Sequence, residues 1–170
     1  KAAQSNSFSM KNLNGIRFTG GRTLRYTADE IDAMFDTYEI GAYTFMLLSL
    51  LYPNLKYSQK GFHQDHMHPY TGFEEGKIKD LVLPDGTVID DDTKEDWRRR
   101  RNTLANLQLL EGRENESKNA TPLIDWLKVT ENSENAKYLP SDVSYELSNF
   151  EEFMEKRQEL MSKALKDILL

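Results

Sequence analysis

The chain of 170 residues has no cysteine, five prolines and no apolar run long enough to cross a lipid bilayer. The absence of cysteine excludes disulfide bonds and thiolate metal sites, and it favours a cytoplasmic protein. The absence of a long apolar run means that no membrane partner is expected. What remains is an ordinary globular composition, 38% apolar and 29% charged, which is sufficient for one domain with a packed core.

An excess of basic residues is also missing. The formal net charge is -6, which argues against a general binder of polyanions. A nucleic-acid surface would therefore be local, and the candidate for it is the run Arg98, Arg99, Arg100 and Arg101. The alternative is that these arginines form only the solvated face of a helix, because runs of like charges are most often exposed to solvent.

Caps and turns divide the chain into a polar arm or linker over residues 1–26 and one domain over residues 27–170. Thr27 and Glu30 match a capping box, which predicts the start of a helix. Asp85-Gly86 between apolar runs predicts a hairpin over residues 81–89. Further expected elements are a basic helix capped by Thr93, a strand near residues 106–112, helices starting at Asn115 and at Thr121-Pro122, and an amphipathic helix over about 148–169.

The segment Asp65-His66-Met67-His68-Pro69 carries the residues with the clearest chemistry. Phosphodiester cleavage needs an activated water, neutralisation of developing charge and a fixed geometry. Asp65 and Asn115 each offer a hard oxygen ligand, and Mg²⁺ often takes only one or two protein side chains. A neutral His66 has a suitable pKa to take a proton from water near pH 7. The carboxamide of Asn106 can fix the orientation of that imidazole.

The adjacency of Asp65 and His66 makes a structural prediction. Consecutive side chains of a regular strand point to opposite faces, so both can serve one site only where the strand ends or becomes irregular. Pro69 supports this position, because proline cannot donate a hydrogen bond to a sheet. We therefore expect the Asp65-His66 pair at the end of a strand.

Simpler interpretations stay open at this point. An Asp-His pair alone is common and usually has no function. His63, His66 and His68 are an alternative zinc cluster, but without cysteine the fourth ligand is hard to find. Asn106 and Asn115 have their own common uses as a turn residue and a helix cap.

Taken in order, the motif Asp65-His66-Met67-His68-Pro69, the segment starting at Asn106 and the segment starting at Asn115 resemble the HNH, or His-Me finger, nucleases. The nine-residue step between the two asparagines is similar to that in the HNH domain of RNA-guided CRISPR nucleases. Residues 62–69 with 102–126 are similar to the C-terminal nuclease domain of GmrSD-type modified-DNA restriction enzymes. The resemblance covers roughly residues 38–128.

The resemblance implies an α+β, mostly helical domain, with a ββα-metal (His-Me finger) core over about residues 60–128 and flanking helices. It implies that His66 is the general base, that Asp65 and Asn115 bind Mg²⁺ or Mn²⁺, and that Asn106 supports His66. The expected function is an endonuclease or nickase of a restriction or anti-phage defence protein, acting on double-stranded DNA. Phosphate contacts are expected from Lys118 and from the arginine run (98–101).

Two features of the sequence qualify that picture. The chain begins at Lys1, which favours a fragment of a longer protein, and the resemblance implies an upstream NTP-using sensor domain. The interval from Asp65 to Asn106 is long and contains the Asp85-Gly86 hairpin. The competing functions are a non-catalytic nucleic-acid-binding module with an HNH-like fold, and an RNA-cleaving toxin.

Overall fold

The structure is a computed structural model, and it describes residues 16–17, 19–20, 25–129 and 136–170. The fold is α+β and mostly helical, with a small two-stranded antiparallel sheet. In these ranges no helix has both the length and the apolar character needed to span a membrane. The expected edge strands or docking arm within residues 1–26 lie largely outside the described residues.

The sheet joins two distant parts of the chain. Strand β1 (Phe62–His66) pairs antiparallel with strand β2 (Leu107–Glu111), in a register that places Asp65 opposite Gln108 and His66 opposite Leu107. Strand β1 ends at His66, which confirms the expected position of the Asp65-His66 pair. Asn106 was expected in the second strand, but it is the last residue of a short 3₁₀ helix (Leu104–Asn106) that precedes β2.

Two helices precede the sheet. Helix α1 (Ala28–Thr37) begins at the predicted capping box, in which Thr27 and Glu30 each accept a hydrogen bond from the other's backbone N–H. Its buried face carries Ile31, Met34 and Phe35, as the helical spacing predicted. Helix α2 (Ala42–Leu51) follows after a short break, and it ends before Pro53.

The insertion between the two strands consists of short elements. A 3₁₀ helix (Tyr70–Phe73) leads to helix α3 (Glu75–Ile78), and the expected hairpin forms with a bridge between Val82 and Val88. Gly86 has φ +84°, a conformation that suits glycine. Helix α4 (Asp91–Arg100) follows. Its cap is Asp90 rather than the expected Thr93: the Asp90 carboxylate accepts from the Thr93 N–H, and an acidic group suits the positive end of the helix.

After β2 the chain turns directly into helix α5 (Gly112–Lys118), so this helix starts three residues before the predicted start at Asn115. The reason is a capping box between Glu111 and Glu114, with Glu in the role usually taken by Ser or Thr. Helix α6 (Leu123–Trp126) follows Pro122 and is shorter than expected.

The last helix, α7 (Phe150–Leu169), confirms the predicted amphipathic C-terminal helix. Its apolar face packs into a continuous core with α1, α2 and the 3₁₀ helix Leu104–Asn106. Arg157, on the same face, is fully buried. Its Nη1 donates to the carbonyls of Ala105 (2.5 Å) and Leu107 (3.0 Å), which fixes the backbone on both sides of Asn106.

Candidate functional site

The end of β1 presents a carboxylate on one face and an imidazole on the other. Asp65 is 7% exposed, and its Oδ2 accepts from Gln108 Nε2 at 2.9 Å and from Lys118 Nζ at 3.0 Å. Among the described residues, no hydrogen-bond donor contacts its other oxygen, Oδ1. The carboxylate is therefore held firmly through one oxygen, and the second oxygen stays available as an acceptor or ligand.

His66 faces the Asn102 side of the sheet. Its Nε2 lies 3.0 Å from Asn102 Oδ1. Because a carboxamide oxygen only accepts, Nε2 carries the proton in this contact and Nδ1 of the neutral ring is the basic atom. Burial lowers the pKa of His66 below its ordinary range, and the hydrogen bond to Asn102 partly opposes this shift. The ring is therefore neutral near pH 7 and able to accept a proton.

Asn106 does not orient the imidazole as predicted. Its Oδ1 accepts from the backbone N–H of His68 at 2.9 Å. Its Nδ2 donates to the carbonyls of His68 (3.1 Å) and Arg101 (2.8 Å). The fully buried carboxamide thus fixes the backbone that follows His66, and it acts on the imidazole only through the chain. The residue that contacts the ring is Asn102, four positions earlier.

Helix α5 packs on the Asp65 face of β1. Gly112 lies against the His63 ring, since a Cβ built on that glycine would meet His63 Nε2 at 3.5 Å. Lys118 contacts Asp65 at the other end of the helix. Asn115 is three residues after Gly112 and three residues before Lys118. Residues three apart are neighbours on a helix surface, so Asn115 is on the same face of the helix. Its carboxamide makes no hydrogen bond to any described side chain or backbone group.

Lys118 was expected to contact phosphate, but it is 1% exposed and faces the protein interior. Besides its ion pair with Asp65, its Nζ donates to the His66 carbonyl and lies 5.6 Å from the centre of the Trp126 ring. A lysine this buried keeps its charge only beside a carboxylate. Asp65 supplies that partner, so Lys118 is not available to DNA in this conformation.

The four consecutive arginines do not form one basic surface. Arg98 donates to the Phe73 carbonyl and to Glu75, Arg99 pairs with Asp96, and Arg100 lies near both Asp96 and Glu151. Successive helical residues point about 100° apart, so the side chains diverge around α4. For these three positions, pairing with acidic residues of the same protein weakens the expected role in phosphate contact.

Arg101 differs, because it contacts Tyr70, whose ring also meets the His66 ring. Its guanidinium stacks over the Tyr70 ring at 3.5 Å from the ring centre, and Nη1 donates to the Tyr70 carbonyl at 3.4 Å. The same Tyr70 ring meets the His66 ring edge-on at 5.9 Å. Tyr70 is half-exposed. The imidazole thus meets an aromatic ring that carries a guanidinium on one face.

The three histidines do not converge. His63 and His66 are three residues apart in β1 and lie on opposite faces of the strand. His68 is buried between Phe150 and Phe153, with ring centres 5.5 and 4.7 Å away. The part of the chain that the structure describes contains no cluster of three or more His, Cys, Asp or Glu side chains suited to a metal ion. A zinc site built on these histidines therefore has no support.

The oxygen donors fit Mg²⁺ or Mn²⁺ better. Asp65 Oδ1 and the Asn115 carboxamide are on facing elements, and neither makes a hydrogen bond within the described chain. Two hard oxygen donors can be sufficient for Mg²⁺, which keeps several of its waters. An opposing feature is the ammonium of Lys118, which lies against the other oxygen of Asp65.

No protein-family model and no curated protein matches this chain. The interpretation of the site therefore depends on its geometry and on the motif. Sequence reasoning missed three residues that the structure places at it: Asn102, Tyr70 and Gln108. Asn102 follows directly on the arginine run, but nothing in its spacing distinguishes it from a turn residue.

Proposed function

We propose that this protein is a metal-dependent DNA endonuclease or nickase with a ββα-metal site, acting in the cytoplasm. The observation that carries the proposal is the arrangement at the end of β1. A neutral imidazole, oriented by Asn102, lies next to a carboxylate in the chain, and the helix bearing Asn115 packs against that carboxylate's face of the strand. The order β1, β2, α5 is also the order of a ββα unit.

In this proposal His66 activates water. Its Nδ1 takes a proton from the attacking water, while Nε2 continues to donate to Asn102 Oδ1. The water oxygen attacks phosphorus, and the bond from phosphorus to the leaving oxygen breaks. A low pKa favours the neutral, proton-accepting ring near pH 7. Asn102 thus has the orienting role first expected of Asn106.

Asp65 and Asn115 would hold the cation, with Asp65 using the oxygen that Lys118 does not contact. When bound there, a divalent cation would neutralise charge that develops on the leaving oxygen. Arg101 is the basic residue best placed to contact the substrate phosphate, because Tyr70 holds its guanidinium beside His66. Double-stranded DNA remains the proposed substrate, and an upstream NTP-using sensor domain the proposed partner.

The direct test is nicking of supercoiled plasmid in the presence of Mg²⁺. Replacement of His66 with Ala should lower the rate by roughly 10²- to 10⁴-fold, the usual contribution of a general base, with little change in folding or DNA binding. His63→Ala is the matched control, because His63 is an exposed histidine of the same strand. Equal cutting by His66→Ala and wild type would refute the assigned base.

A non-catalytic nucleic-acid-binding module is the second candidate, and one observation favours it. The proposed metal ligand Asp65 is already neutralised by Lys118 of the same protein. Such pairing is expected of a buried carboxylate that has only a structural role. The plasmid assay separates the two functions, because only an enzyme yields nicked or linear product. RNA cleavage in place of DNA cleavage would indicate the toxin alternative.

A further inference from the structure

Lys118 is the most unusual charged residue near the site. It is 1% exposed, and its ammonium bridges two consecutive residues by contacting Asp65 Oδ2 and the His66 carbonyl. Burial lowers its pKa, and Asp65 opposes that shift. Taking an ammonium out of water is costly, so a buried lysine needs strong compensation from its partners. Asp65 is that compensation.

Both ends of helix α5 are held in place around this ion pair. Its carbonyl accepts from the Thr121 N–H at 2.9 Å, and its ammonium lies against the Trp126 ring. The other end of α5 is fixed by the capping box between Glu111 and Glu114. In the arrangement that the structure shows, a cation at Asp65 would lie close to the ammonium of Lys118.

We propose that Lys118 is an internal counter-ion of Asp65 that stabilises the metal-free protein and weakens divalent-cation binding at that carboxylate. This inference rests on the proposed function, because it takes Asp65 as a cation ligand. Lys118 and the cation share one carboxylate through different oxygens, so the two positive charges repel each other. The lysine thus sets the cation concentration at which the site fills.

The test is replacement of Lys118 with Met, which keeps the length and apolar volume of the stem and removes the charge. Mn²⁺ binding is measured by calorimetry, and thermal unfolding is followed with and without Mn²⁺. Without cation the variant should be less stable than wild type, because the buried carboxylate of Asp65 keeps its hydrogen bond from Gln108 but loses its counter-ion. With cation, binding should be about tenfold tighter than in wild type, since a nearby positive charge has been removed.

Lys94→Met is the matched control. Lys94 is also a buried lysine in an ion pair with an aspartate, since it is 7% exposed and lies 2.9 Å from Asp91 Oδ1. It lies on α4, outside the site, so its replacement should leave Mn²⁺ affinity unchanged. The double variant Asp65→Asn with Lys118→Met should not respond to Mn²⁺, which assigns the effect to Asp65.

Affinity that is equal to or weaker than wild type in Lys118→Met overturns the counter-ion role. If the variant folds only when Mn²⁺ is present, the inference is supported, and if it fails to fold in either condition, it is overturned. If Lys118→Met binds Mn²⁺ more tightly than wild type but wild type does not nick plasmid, the counter-ion role is kept and the nuclease function is rejected. If wild type nicks plasmid but Lys118→Met binds Mn²⁺ as wild type does, the nuclease function is kept and the counter-ion role is rejected.

Discussion

The buried imidazole of His68 should make this protein sensitive to mild acid. His68 is 2% exposed, lies against Phe150 and Phe153, and has no hydrogen-bond partner for its Nε2 among the described residues. Burial, together with the positive charges of Lys118 and Arg157, lowers its pKa from 6.5 to about 3. The folded protein therefore keeps this ring neutral over a pH range in which the unfolded chain protonates it.

The size of the effect follows from that difference in pKa. Below pH 6.5 the unfolded state binds one more proton than the folded state, so stability falls as the pH falls towards the folded pKa of about 3. Each pH unit is equivalent to about 1.4 kcal/mol. The loss is about 2 kcal/mol between pH 7 and pH 5, and on the order of 5 kcal/mol over the whole range.

Replacement of His68 with Leu removes the titrating group and keeps a similar volume. Asn106 accepts a hydrogen bond from the backbone N–H of residue 68 and donates one to its carbonyl, so both bonds survive the change. Urea unfolding is measured at pH 7, 6 and 5 by the fluorescence of the buried Trp97. Between pH 7 and pH 5 the free energy of unfolding should fall by about 2 kcal/mol less in the variant than in wild type. Leu at the exposed His63 controls for loss of a histidine. A pH dependence identical to wild type in His68→Leu would refute the reasoning.

Two further predictions concern the candidate site. Asn106→Ala removes three hydrogen bonds and leaves backbone groups of His68 and Arg101 unpaired. The free energy of unfolding, measured by urea denaturation, should therefore fall by about 2–4 kcal/mol. A loss below about 0.5 kcal/mol would contradict this role of Asn106. Plasmid nicking should be constant near pH 7 and decline as His66 becomes protonated, at a pH below its ordinary value of 6.5 because burial lowers its pKa. A decline centred above pH 6.5, in protein shown to be folded, would contradict that environment.

Local sequence signals predicted much of the fold. The capping box at Thr27, the Asp85-Gly86 turn and the helical spacing of the C-terminal segment are each encoded within a few residues, and all three elements are present. The strand end at His66 was also predictable, since it followed from the opposite directions of adjacent strand side chains. The errors were local too: acidic residues at Asp90 and Glu111 took the capping positions expected at other residues.

The partners of the site residues were not predictable in the same way. Which carboxamide reaches His66 depends on the path of the chain after α4: the sequence predicted Asn106, and the structure places Asn102 there. Lys118 was expected at the surface because most lysines are exposed. Its burial beside Asp65 depends on how α5 packs against the sheet, which no short-range pattern encodes.

Arg157 has a consequence for how the domain can be divided. Its guanidinium reaches from the C-terminal helix to the two carbonyls that flank Asn106, so the backbone next to β2 depends on a segment far from β1, β2 and α5 in the chain. A shortened version made of residues 60–128 would lose these two hydrogen bonds and the core residues that α7 supplies. We therefore expect that a shortened version of this protein needs α7 in order to fold.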